Sequence, residues 1–304
     1  MTADCRIRCP DTGIADRDQE DKELPNYASE RDSIESVIAS IGEAADPRFR
    51  QIMESLIRHL HSFVKEVELT QHEWKAAIDF LTRTGQTCTP ERQEYILLRD
   101  TLGMSALVDA INSRRPIGAT VNTVLGPFRV EGAPVREMGD DISLDGKGES
   151  CLFQGQVTDV SGNPIAAANI DVWSDNADGF YDVQQPDVQP KWNNRGIFVT
   201  GADGRYRFRG IKPVSYPVPI DGPAGEMLTR MGRHPYRPAH THLIVTAPGY
   251  DRLVTHIFVG DDAYIGSDAV FGVKESLIAA LEPSPGGDMQ WRCTFDLVLA
   301  PERR

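Results

Sequence analysis

Apolar residues in the first half of the chain recur at the spacing of helices. Between residues 49 and 67 they follow one another at steps of three and four, the spacing of one helical face. Thr70 and Glu73 have the form of a capping box, so a second helix is predicted to begin there. A third helix is predicted from Thr89 and Pro90, an N-cap followed by proline at the first helical position. This half is therefore predicted to be all-α.

Beyond a connector at residues 126–134 the pattern changes to short alternating runs. Alternation with a period of two is typical of strands, and turn-forming residues at 161–164 and 202–204 separate the runs. The predicted strands cover residues 153–157, 170–173, 205–208, 242–246, 253–259 and 293–299. Several short strands at this spacing indicate a β-sandwich or a barrel.

These patterns divide the chain into three parts and predict an α+β fold. Residues 1–27 are polar and rich in Asp and Glu, so we expect a flexible acidic tail there. Residues 28–125 are predicted to form a helical domain. Residues 126–304 are predicted to form a β domain.

The composition narrows the classes of partner. The chain has 304 residues, of which 40% are hydrophobic, and a net charge of -13. Such an acidic protein lacks the attraction on which nucleic-acid binding and adhesion to anionic lipids depend. No stretch reaches the roughly 18 apolar residues of a membrane span, and the first residues contain no apolar signal segment. We therefore expect a cytoplasmic protein that binds a small molecule, with no nucleic acid and no membrane span.

The five cysteines are scattered along the chain and include no Cys-x-x-Cys pair. This arrangement predicts reduced thiols rather than a disulfide framework. Cys5 and Cys9 offer an alternative metal site in principle, but their charged surroundings have little to bury.

His240 and His242 are the first candidates for metal ligands. Side chains in a strand alternate between faces, so both imidazoles of a His-x-His point the same way and can bind one ion. Four of the seven histidines lie in one segment with Arg237, and core filling does not explain that clustering. The alternative is a strand pair that faces solvent or bonds a neighbouring carbonyl. Tyr181 and Tyr216 occupy turn-like settings, but spacing alone does not select them among eight tyrosines.

Three groups of motifs, taken in order, carry a family resemblance. They are Asp-Val-Trp at 171–173 with Gly-Phe-Tyr-Asp at 179–182, Tyr-Pro-Val-Pro-Ile-Asp-Gly-Pro at 216–223, and Arg-His-Pro-Tyr-Arg-Pro-Ala-His-Thr-His at 233–242. Together they resemble the intradiol ring-cleaving dioxygenases of the catechol 1,2-dioxygenase type, and the similarity spans residues 54–299. The resemblance implies an N-terminal helical dimerisation domain followed by an antiparallel β-sandwich catalytic domain that holds one iron(III) per subunit.

Carried over residue by residue, the resemblance makes Tyr181, Tyr216, His240 and His242 the iron ligands. The donor types agree, because phenolate oxygen is a hard anionic donor that stabilises iron(III), and imidazole suits iron as well. The resemblance further implies that a diol chelates the iron and that Tyr216 is the ligand that leaves. Arg237 would then offset negative charge that builds on the ring during reaction with O2. The alternative for Arg237 is a structural ion pair.

The resemblance also implies a substrate pocket. Its predicted residues are Leu97, Asp100, Val124, Pro127, Phe128, Arg237, His256, Ala269 and Val270. Residues 253–259 and 267–274 resemble the hydroxyquinol (benzene-1,2,4-triol) branch more than the plain catechol enzymes. Asp100 stands where catechol enzymes usually have proline, and its carboxylate could accept a hydrogen bond from a third hydroxyl. The alternative for Asp100 is an exposed helix residue.

The predicted function is therefore cleavage of hydroxyquinol with O2 to 3-hydroxy-cis,cis-muconate, the enol form of maleylacetate. The nearest alternative is a catechol or substituted-catechol 1,2-dioxygenase. An alternative from a different class is a non-enzymatic β-sandwich binding module, in which the histidines hold no metal. The resemblance also implies a homodimer formed through the helices, and it permits a phospholipid in a tunnel between them.

Overall fold

The computed structural model describes residues 33–42, 46–89, 92–284 and 288–302. The chain divides into two compact units, Met1–Ile78 and Asp79–Arg304. The helices in the described ranges are α1 Ser33–Ala39, α2 Pro47–Glu66, α3 Gln71–Thr87, α4 Glu94–Thr101, α5 Met104–Asn112 and α6 Pro223–Arg230. None of these helices combines the length and the apolar content that crossing a bilayer requires. The predicted tail at residues 1–27 lies outside the described residues.

Helix α3 begins at the capping box predicted from the sequence, and α2 covers the predicted helical stripe with an N-cap at Asp46. The Asp46 carboxylate accepts a hydrogen bond from the Phe49 backbone N–H at 2.8 Å, and Pro47 occupies the first turn of α2. Glu73 Oε2 accepts from the Thr70 backbone N–H at 2.9 Å, and the Glu73 N–H donates to Thr70 Oγ1 at 3.3 Å. This reciprocal pair is the predicted capping box. Both predicted helices are confirmed.

The third predicted helix begins later than predicted. Thr89 Oγ1 accepts a hydrogen bond from the Arg92 backbone N–H at 3.0 Å, but α4 begins only at Glu94. Residues 90–91 lie outside the described ranges. The Glu94 carboxylate is fully buried, pairs with Arg92 at 2.9 Å and accepts a bond from the Ala224 backbone N–H at 3.0 Å. Because Ala224 is distant in sequence, no local pattern predicts that α4 begins at Glu94.

The described ranges contain twelve strands in two larger sheets and a short ribbon. The strands are β1 Ser150–Asp159, β2 Asn169–Trp173, β3 Arg195–Val199, β4 Arg205–Ile211, β5 Tyr216–Pro217, β6 Tyr236–Arg237, β7 His240–Thr246, β8 Leu253–Val259, β9 Ile278–Ala279, β10 Leu281–Pro283, β11 Trp291–Thr294 and β12 Leu297–Leu299. One sheet has the order β10-β11-β1-β12 with β4 also paired to β1, the second has the order β3-β2-β7-β8-β9, and β5 pairs with β6. All six predicted strand segments are present, although the last is divided between β11 and β12.

The sheets are mixed, which corrects the predicted purely antiparallel arrangement. Strand β1 is antiparallel to β4 but parallel to β11 and β12, and β9 is parallel to β8. Long connections separate the parallel partners in sequence, so no tight hairpin constrains their direction. The helices in the first half and the two sheets in the second half confirm the α+β class.

The main core unites side chains from both larger sheets. Its members include Phe153 and Phe208 from the first sheet and Leu243 from the second. Burial of such a side chain contributes about 1.5–3 kcal/mol. Strand β7 is buried on both faces along nearly its whole length. Since Leu243 belongs to the core, the alternate residues His240 and His242 lie on the opposite face of the strand.

The segment at residues 121–124 packs against β8 and leads to that opposite face. The Thr123 backbone N–H donates to the Val254 carbonyl at 2.9 Å, and the Thr123 hydroxyl donates to the Gly272 carbonyl at 2.6 Å. The Thr255 hydroxyl donates to the Val121 carbonyl at 3.0 Å. These bonds hold residues 121–124 against β8, the strand that pairs with β7.

Candidate metal centre

Four side-chain donor atoms converge in a buried space at the start of β7. The Tyr181 hydroxyl lies 3.2 Å from the Tyr216 hydroxyl and 2.9 Å from His242 Nε2. The Nε2 atoms of His240 and His242 are 3.1 Å apart. None of the four residues is more than 6% exposed. The structure thus brings together the four residues that the family resemblance implies as metal ligands.

His240 presents an unprotonated nitrogen to this cluster. Its Nδ1 lies 2.7 Å from the Pro238 carbonyl oxygen. Because a carbonyl can only accept, Nδ1 carries the proton and Nε2 keeps its lone pair. Burial, and after it the Arg237 guanidinium, lowers the pKa of His240 to about 3, so the ring stays neutral near pH 7. This is the tautomer that a metal ligand requires.

His242 is oriented by its neighbours on the sheet. Its cross-strand partner in β2 is Trp173, whose ring stacks on the imidazole with centroids 4.7 Å apart and planes 9° apart. Its partner in β8 is His256. Gly126 has a φ of +76°, and a Cβ there would lie 2.9 Å from His242 Cε1. These contacts pack the ring on several sides, and its Nε2 lies toward the other donor atoms.

Tyr181 follows a tight turn after β2. Asn176 Oδ1 accepts hydrogen bonds from the backbone N–H groups two and four residues later, each at 3.0 Å. Gly179 has a φ of +81°, and a Cβ there would lie 3.0 Å from the Tyr216 Cβ. The Phe128 ring stacks on Tyr181 with centroids 4.6 Å apart. The turn therefore delivers the Tyr181 ring into the cluster and the stacking holds it there.

A buried ion pair anchors the residue that follows Tyr181. Asp182 lies 2.6 Å from an Arg195 nitrogen, and Arg195 also donates to the Phe128 carbonyl at 2.9 Å. These bonds connect the tyrosine turn, β3 and the segment that begins at Gly126. No local sequence pattern marks this ion pair, because its two members are 13 residues apart in the chain.

Tyr216 and Arg237 face each other across the β5–β6 ribbon. Arg237 Nη1 lies 3.0 Å from His240 Nε2. The guanidinium is 3% exposed and pairs with the buried carboxylate of Asp268 at 3.2 Å. The ion pair considered as the alternative role of Arg237 is therefore present, and the same guanidinium also faces the donor cluster.

Both phenols resist ionisation in the absence of a cation. Burial raises the pKa of Tyr181 well above its ordinary value, and the adjacent Tyr216 adds to the effect. Burial also raises the pKa of Tyr216, although the Arg237 guanidinium acts in the opposite direction. A metal ion among the donor atoms would reverse this preference and hold both groups as phenolates.

The spacing and the donor types fit a single transition-metal ion. With metal–donor bonds of about 2.0–2.1 Å, adjacent ligand atoms lie roughly 3 Å apart. The observed separations run from 2.9 to 3.2 Å. His240, His242 and His256 also form a group whose nitrogens lie within 4.8 Å of one another. Imidazole and phenol are poor ligands for Mg²⁺ and Ca²⁺, which prefer carboxylates, carbonyls and water.

A cavity of about 500 Å³ opens beside the donor atoms. Its walls are mostly apolar with a few polar groups, which is typical of a small-molecule site. The sequence-predicted pocket residues that line it are Leu97, Asp100, Val124, Pro127, Phe128, Arg237 and Val270. Lining residues that were not predicted as part of the pocket include Ile96, Phe180, Gln184, Val218 and Ile220. The last two alternate with prolines directly after Tyr216, and this alternation could have identified them.

His256 and Ala269 lie close to the site without lining the cavity. His256 is fully buried, with its ring centroid 4.7 Å from that of His240 and 4.1 Å from that of His242. Both of its ring nitrogens lack a hydrogen-bond partner among the described residues. Ala269 is 1% exposed, and its carbonyl accepts a bond from Arg233 at 2.9 Å. Neither side chain therefore forms part of the cavity wall.

Asp100 is not the exposed helix residue of the alternative interpretation. Its side chain is 15% exposed, lines the cavity and accepts a hydrogen bond from the Ser105 hydroxyl. Burial raises the pKa of Asp100, while Ser105 and then Arg99 oppose the rise. A carboxylate in an otherwise apolar wall is well suited to accept a hydrogen bond from a ligand hydroxyl.

Comparisons with known proteins match both parts of the chain. Residues 126–301 match the family model described as Dioxygenase, and residues 46–120 match the model described as Catechol dioxygenase N terminus. The hydroxyquinol 1,2-dioxygenase of Rhizobium sp. is 58% identical, over 90% of this chain and 96% of its own. The 6-chlorohydroxyquinol 1,2-dioxygenase of Cupriavidus pinatubonensis is 50% identical, over 88% and 95%. The solved structure of hydroxyquinol 1,2-dioxygenase from Pseudomonas putida has a TM-score of 0.86 at 47% identity and covers 90% of this chain and 99% of that chain.

The chain belongs to the intradiol dioxygenase family. The family models cover both the helical and the β part, and the relatives match along nearly their whole length. The resemblance inferred from the sequence motifs is thereby confirmed. The protein is an enzyme, and the non-enzymatic binding module is excluded.

Proposed function

We propose that the chain is an iron(III)-dependent hydroxyquinol 1,2-dioxygenase, which converts benzene-1,2,4-triol and O2 to 3-hydroxy-cis,cis-muconate. The observation that carries the proposal is the half-buried carboxylate of Asp100 in the cavity beside the donor cluster. Catechol offers this carboxylate no hydrogen bond, whereas the third hydroxyl of the triol would add one to the bond that Asp100 already accepts from Ser105. The names of the relatives at 58% and 50% identity support the same substrate class.

Tyr181, Tyr216, His240 and His242 would hold the iron. Two phenolates offset two of its three positive charges, and two neutral imidazoles complete the protein's share of the ligands. An iron(III) ion held by these residues would supply Lewis-acid chemistry that activates a bound diol for reaction with O2. The tautomer of His240 and the separations of 2.9–3.2 Å between donor atoms support this assignment.

Tyr216 is the donor residue best placed to take a proton from the substrate. Of the four, it alone also lines the cavity, so a diol that enters meets its hydroxyl oxygen first. Held as a phenolate by the metal, its oxygen could accept that proton. Tyr181 lies outside the cavity lining and is stacked against Phe128. This difference supports Tyr216 as the exchangeable ligand and Tyr181 as the permanent one.

Arg237 supplies fixed positive charge at the cavity wall. Its guanidinium is buried beside the donor cluster, where a charge acts more strongly than in water. A preorganised group of this kind can stabilise negative charge that develops on the ring by about 3–4 kcal/mol. The apolar walls around it exclude water from the reacting ring.

The substrate proposal is tested by steady-state rates with hydroxyquinol and with catechol. We expect kcat/KM to be higher for the triol, because only the triol has a third hydroxyl that can donate a hydrogen bond to the Asp100 carboxylate. The alternative is a catechol or substituted-catechol 1,2-dioxygenase. If catechol is converted at least as efficiently as the triol, the argument from Asp100 fails and this alternative replaces the proposal.

The metal proposal is tested by iron analysis and a visible spectrum of the purified protein. Tyrosinate bound to iron(III) gives a visible charge-transfer band, so the concentrated protein should be burgundy. Tyr181→Phe and His240→Ala should each remove the iron or the colour. Tyr206→Phe is the matched control, because Tyr206 is also buried but bonds the Phe295 carbonyl in the main core. A colourless protein that retains iron would count against the two tyrosine ligands.

We further propose a homodimer formed by the helical part, residues 28–125, with residues 126–304 as the catalytic part. Exposed apolar side chains on the helices support this, including Phe49 at 59% and Leu107 at 61%. Such surfaces could also enclose a phospholipid, which mass spectrometry of an organic extract would detect. Light scattering should give twice the chain mass.

The free thiols of Cys88, Cys151 and Cys293 support a reducing, cytoplasmic location.

A further inference from the structure

Asp268 binds the Arg237 guanidinium and a backbone turn with the same two oxygens. Oδ1 accepts from Arg237 Nε at 3.2 Å and from the Val270 backbone N–H at 3.2 Å. Oδ2 accepts from Arg237 Nη2 at 3.4 Å and from the Gly272 backbone N–H at 2.9 Å. Each oxygen therefore has one side-chain donor and one backbone donor. The two backbone bonds fix the position of the carboxylate independently of Arg237.

The third guanidinium nitrogen of Arg237, Nη1, is directed away from Asp268 and toward the proposed metal ligands. Nε and Nη2 of Arg237 are directed at Asp268, while Nη1 lies 3.0 Å from His240 Nε2. The guanidinium is planar, so fixing two of its nitrogens fixes the third. The side chains of both Arg237 and Asp268 are at most 4% exposed, so water does not compete for these bonds.

The space around the pair is also closed. At Gly272, a Cβ would lie 3.0 Å from Arg237 Nη2, 3.1 Å from Asp268 Oδ2 and 3.3 Å from Val124 Cγ2. The absence of a side chain at this position lets the turn approach the guanidinium. Any larger residue would push on the same nitrogen that Asp268 holds. Gly272 thus offers a second way to move the guanidinium without removing a charge.

We propose that Asp268 is a positioning residue for the ring-cleavage reaction, acting by holding the Arg237 guanidinium in place at the cavity wall beside His240. The proposal rests on the function proposed above, in which Arg237 stabilises charge on the ring. Its second effect is on the cavity wall, because the turn that Asp268 organises carries Val270, which lines the cavity. Asp268 itself does not line the cavity, so it acts through its partners rather than on the substrate.

The first test is Asp268→Asn, with Asp262→Asn as the matched control. The Asp262 carboxylate also accepts a backbone N–H in a turn, from Tyr264 at 2.8 Å, but it has no arginine partner among the described residues. A group displaced by about 1 Å can lower a rate roughly 100-fold. We expect kcat for hydroxyquinol to fall about 10- to 100-fold in Asp268→Asn, with KM changed much less. Gly272→Ala should shift kcat in the same direction, and Asp262→Asn should leave it unchanged.

The second test distinguishes positioning from a general structural role. Arg237→Met removes the guanidinium that Asp268 is proposed to hold in place. If Asp268 acts through Arg237, the double variant should have the kcat of Arg237→Met within about twofold. If the two losses multiply instead, Asp268 acts independently of Arg237 and the proposal is overturned. Iron content and the far-ultraviolet circular dichroism of every variant should match the wild type before rates are compared.

A third measurement does not depend on turnover. Crystal structures of the iron-loaded wild type and Asp268→Asn should show the guanidinium held in one plane in the wild type and rotated or in several conformers in the variant. An unchanged guanidinium in the variant would overturn the proposal even if activity fell. If the wild-type protein fails to convert hydroxyquinol, the proposed function fails, while the crystal structures still decide whether Asp268 orients Arg237.

Discussion

Replacing Asp100 with alanine should remove the preference for a triol over a diol. The carboxylate lines the cavity, is 15% exposed and bonds Ser105 and Arg99 rather than the donor residues. Its removal therefore leaves the proposed iron ligands and Arg237 in place. What the variant loses is the acceptor for the third hydroxyl of the substrate.

The size of the effect follows from the charge on that acceptor. A hydrogen bond to a charged group contributes about 1.5–3 kcal/mol, so kcat/KM for hydroxyquinol should fall about 10- to 150-fold. Catechol has no hydroxyl at that position, so its kcat/KM should change little when the carboxylate is removed. Asp100→Asn keeps a neutral acceptor, worth about 0.5–1.5 kcal/mol, and should lie between the wild type and the alanine variant.

The assay is the initial rate of ring cleavage for both substrates, followed by absorbance, with all proteins at equal iron occupancy. The informative quantity is the ratio of kcat/KM for hydroxyquinol to that for catechol. It should fall by at least about tenfold in Asp100→Ala. An unchanged ratio, or an equal loss for both substrates, would refute the role of Asp100 in selectivity and reduce it to a packing residue.

Other perturbations should act on stability. Removing the iron with a chelator should lower the calorimetric midpoint of unfolding, because an ion that binds only the folded state stabilises it by mass action; an unchanged midpoint would argue against a metal in the buried cluster. Glu94→Gln should lower the free energy of unfolding, measured in urea, by about 1–3 kcal/mol. The reason is that it weakens the buried pair with Arg92 and the hydrogen bond to the first turn of α6. The matched control, Glu226→Gln, changes an exposed ion pair and should lower it by less than about 1 kcal/mol. Burial raises the pKa of Asp268, but Arg237 outweighs burial and the pKa lies below its ordinary value. The Asp268 carboxylate therefore contributes to stability above about pH 4, and this contribution is lost as the pH falls through the lowered pKa. In Asp268→Asn the free energy of unfolding should depend less steeply on pH in the acid range. An unaltered slope would contradict the pairing with Arg237.

Sequence patterns predicted those elements that a few neighbouring residues decide. Thr70 and Glu73 marked the start of α3, because a capping box needs only one turn of chain. Alternation predicted β8 with the bounds Leu253–Val259 that the structure shows. The period of two placed His240 and His242 on one face of a strand, and the structure has them there with Nε2 atoms 3.1 Å apart.

The predictions failed or fell short where residues far apart in sequence decide. Helix α4 begins at Glu94 rather than near Thr89, and the carboxylate at its start bonds α6. The strands β5 and β6 have two residues each, too few for a periodic pattern, yet their pairing sets Tyr216 opposite Arg237. The parallel partners of β1 also left no sign in the sequence, because strand direction depends on the path of long connections.

By itself the sequence determined the local elements and the chemistry available to the protein, because capping, periodicity and donor type are properties of short segments. The family resemblance indicated which two of the eight tyrosines are candidate metal ligands. Only the tertiary structure decided that two tyrosines and two histidines meet in one buried space, that Asp100 reaches the cavity wall, and that Asp268 holds Arg237. Those contacts join segments that are distant along the chain. They exist only once the two sheets and the connecting loops have packed, and no short segment encodes that packing.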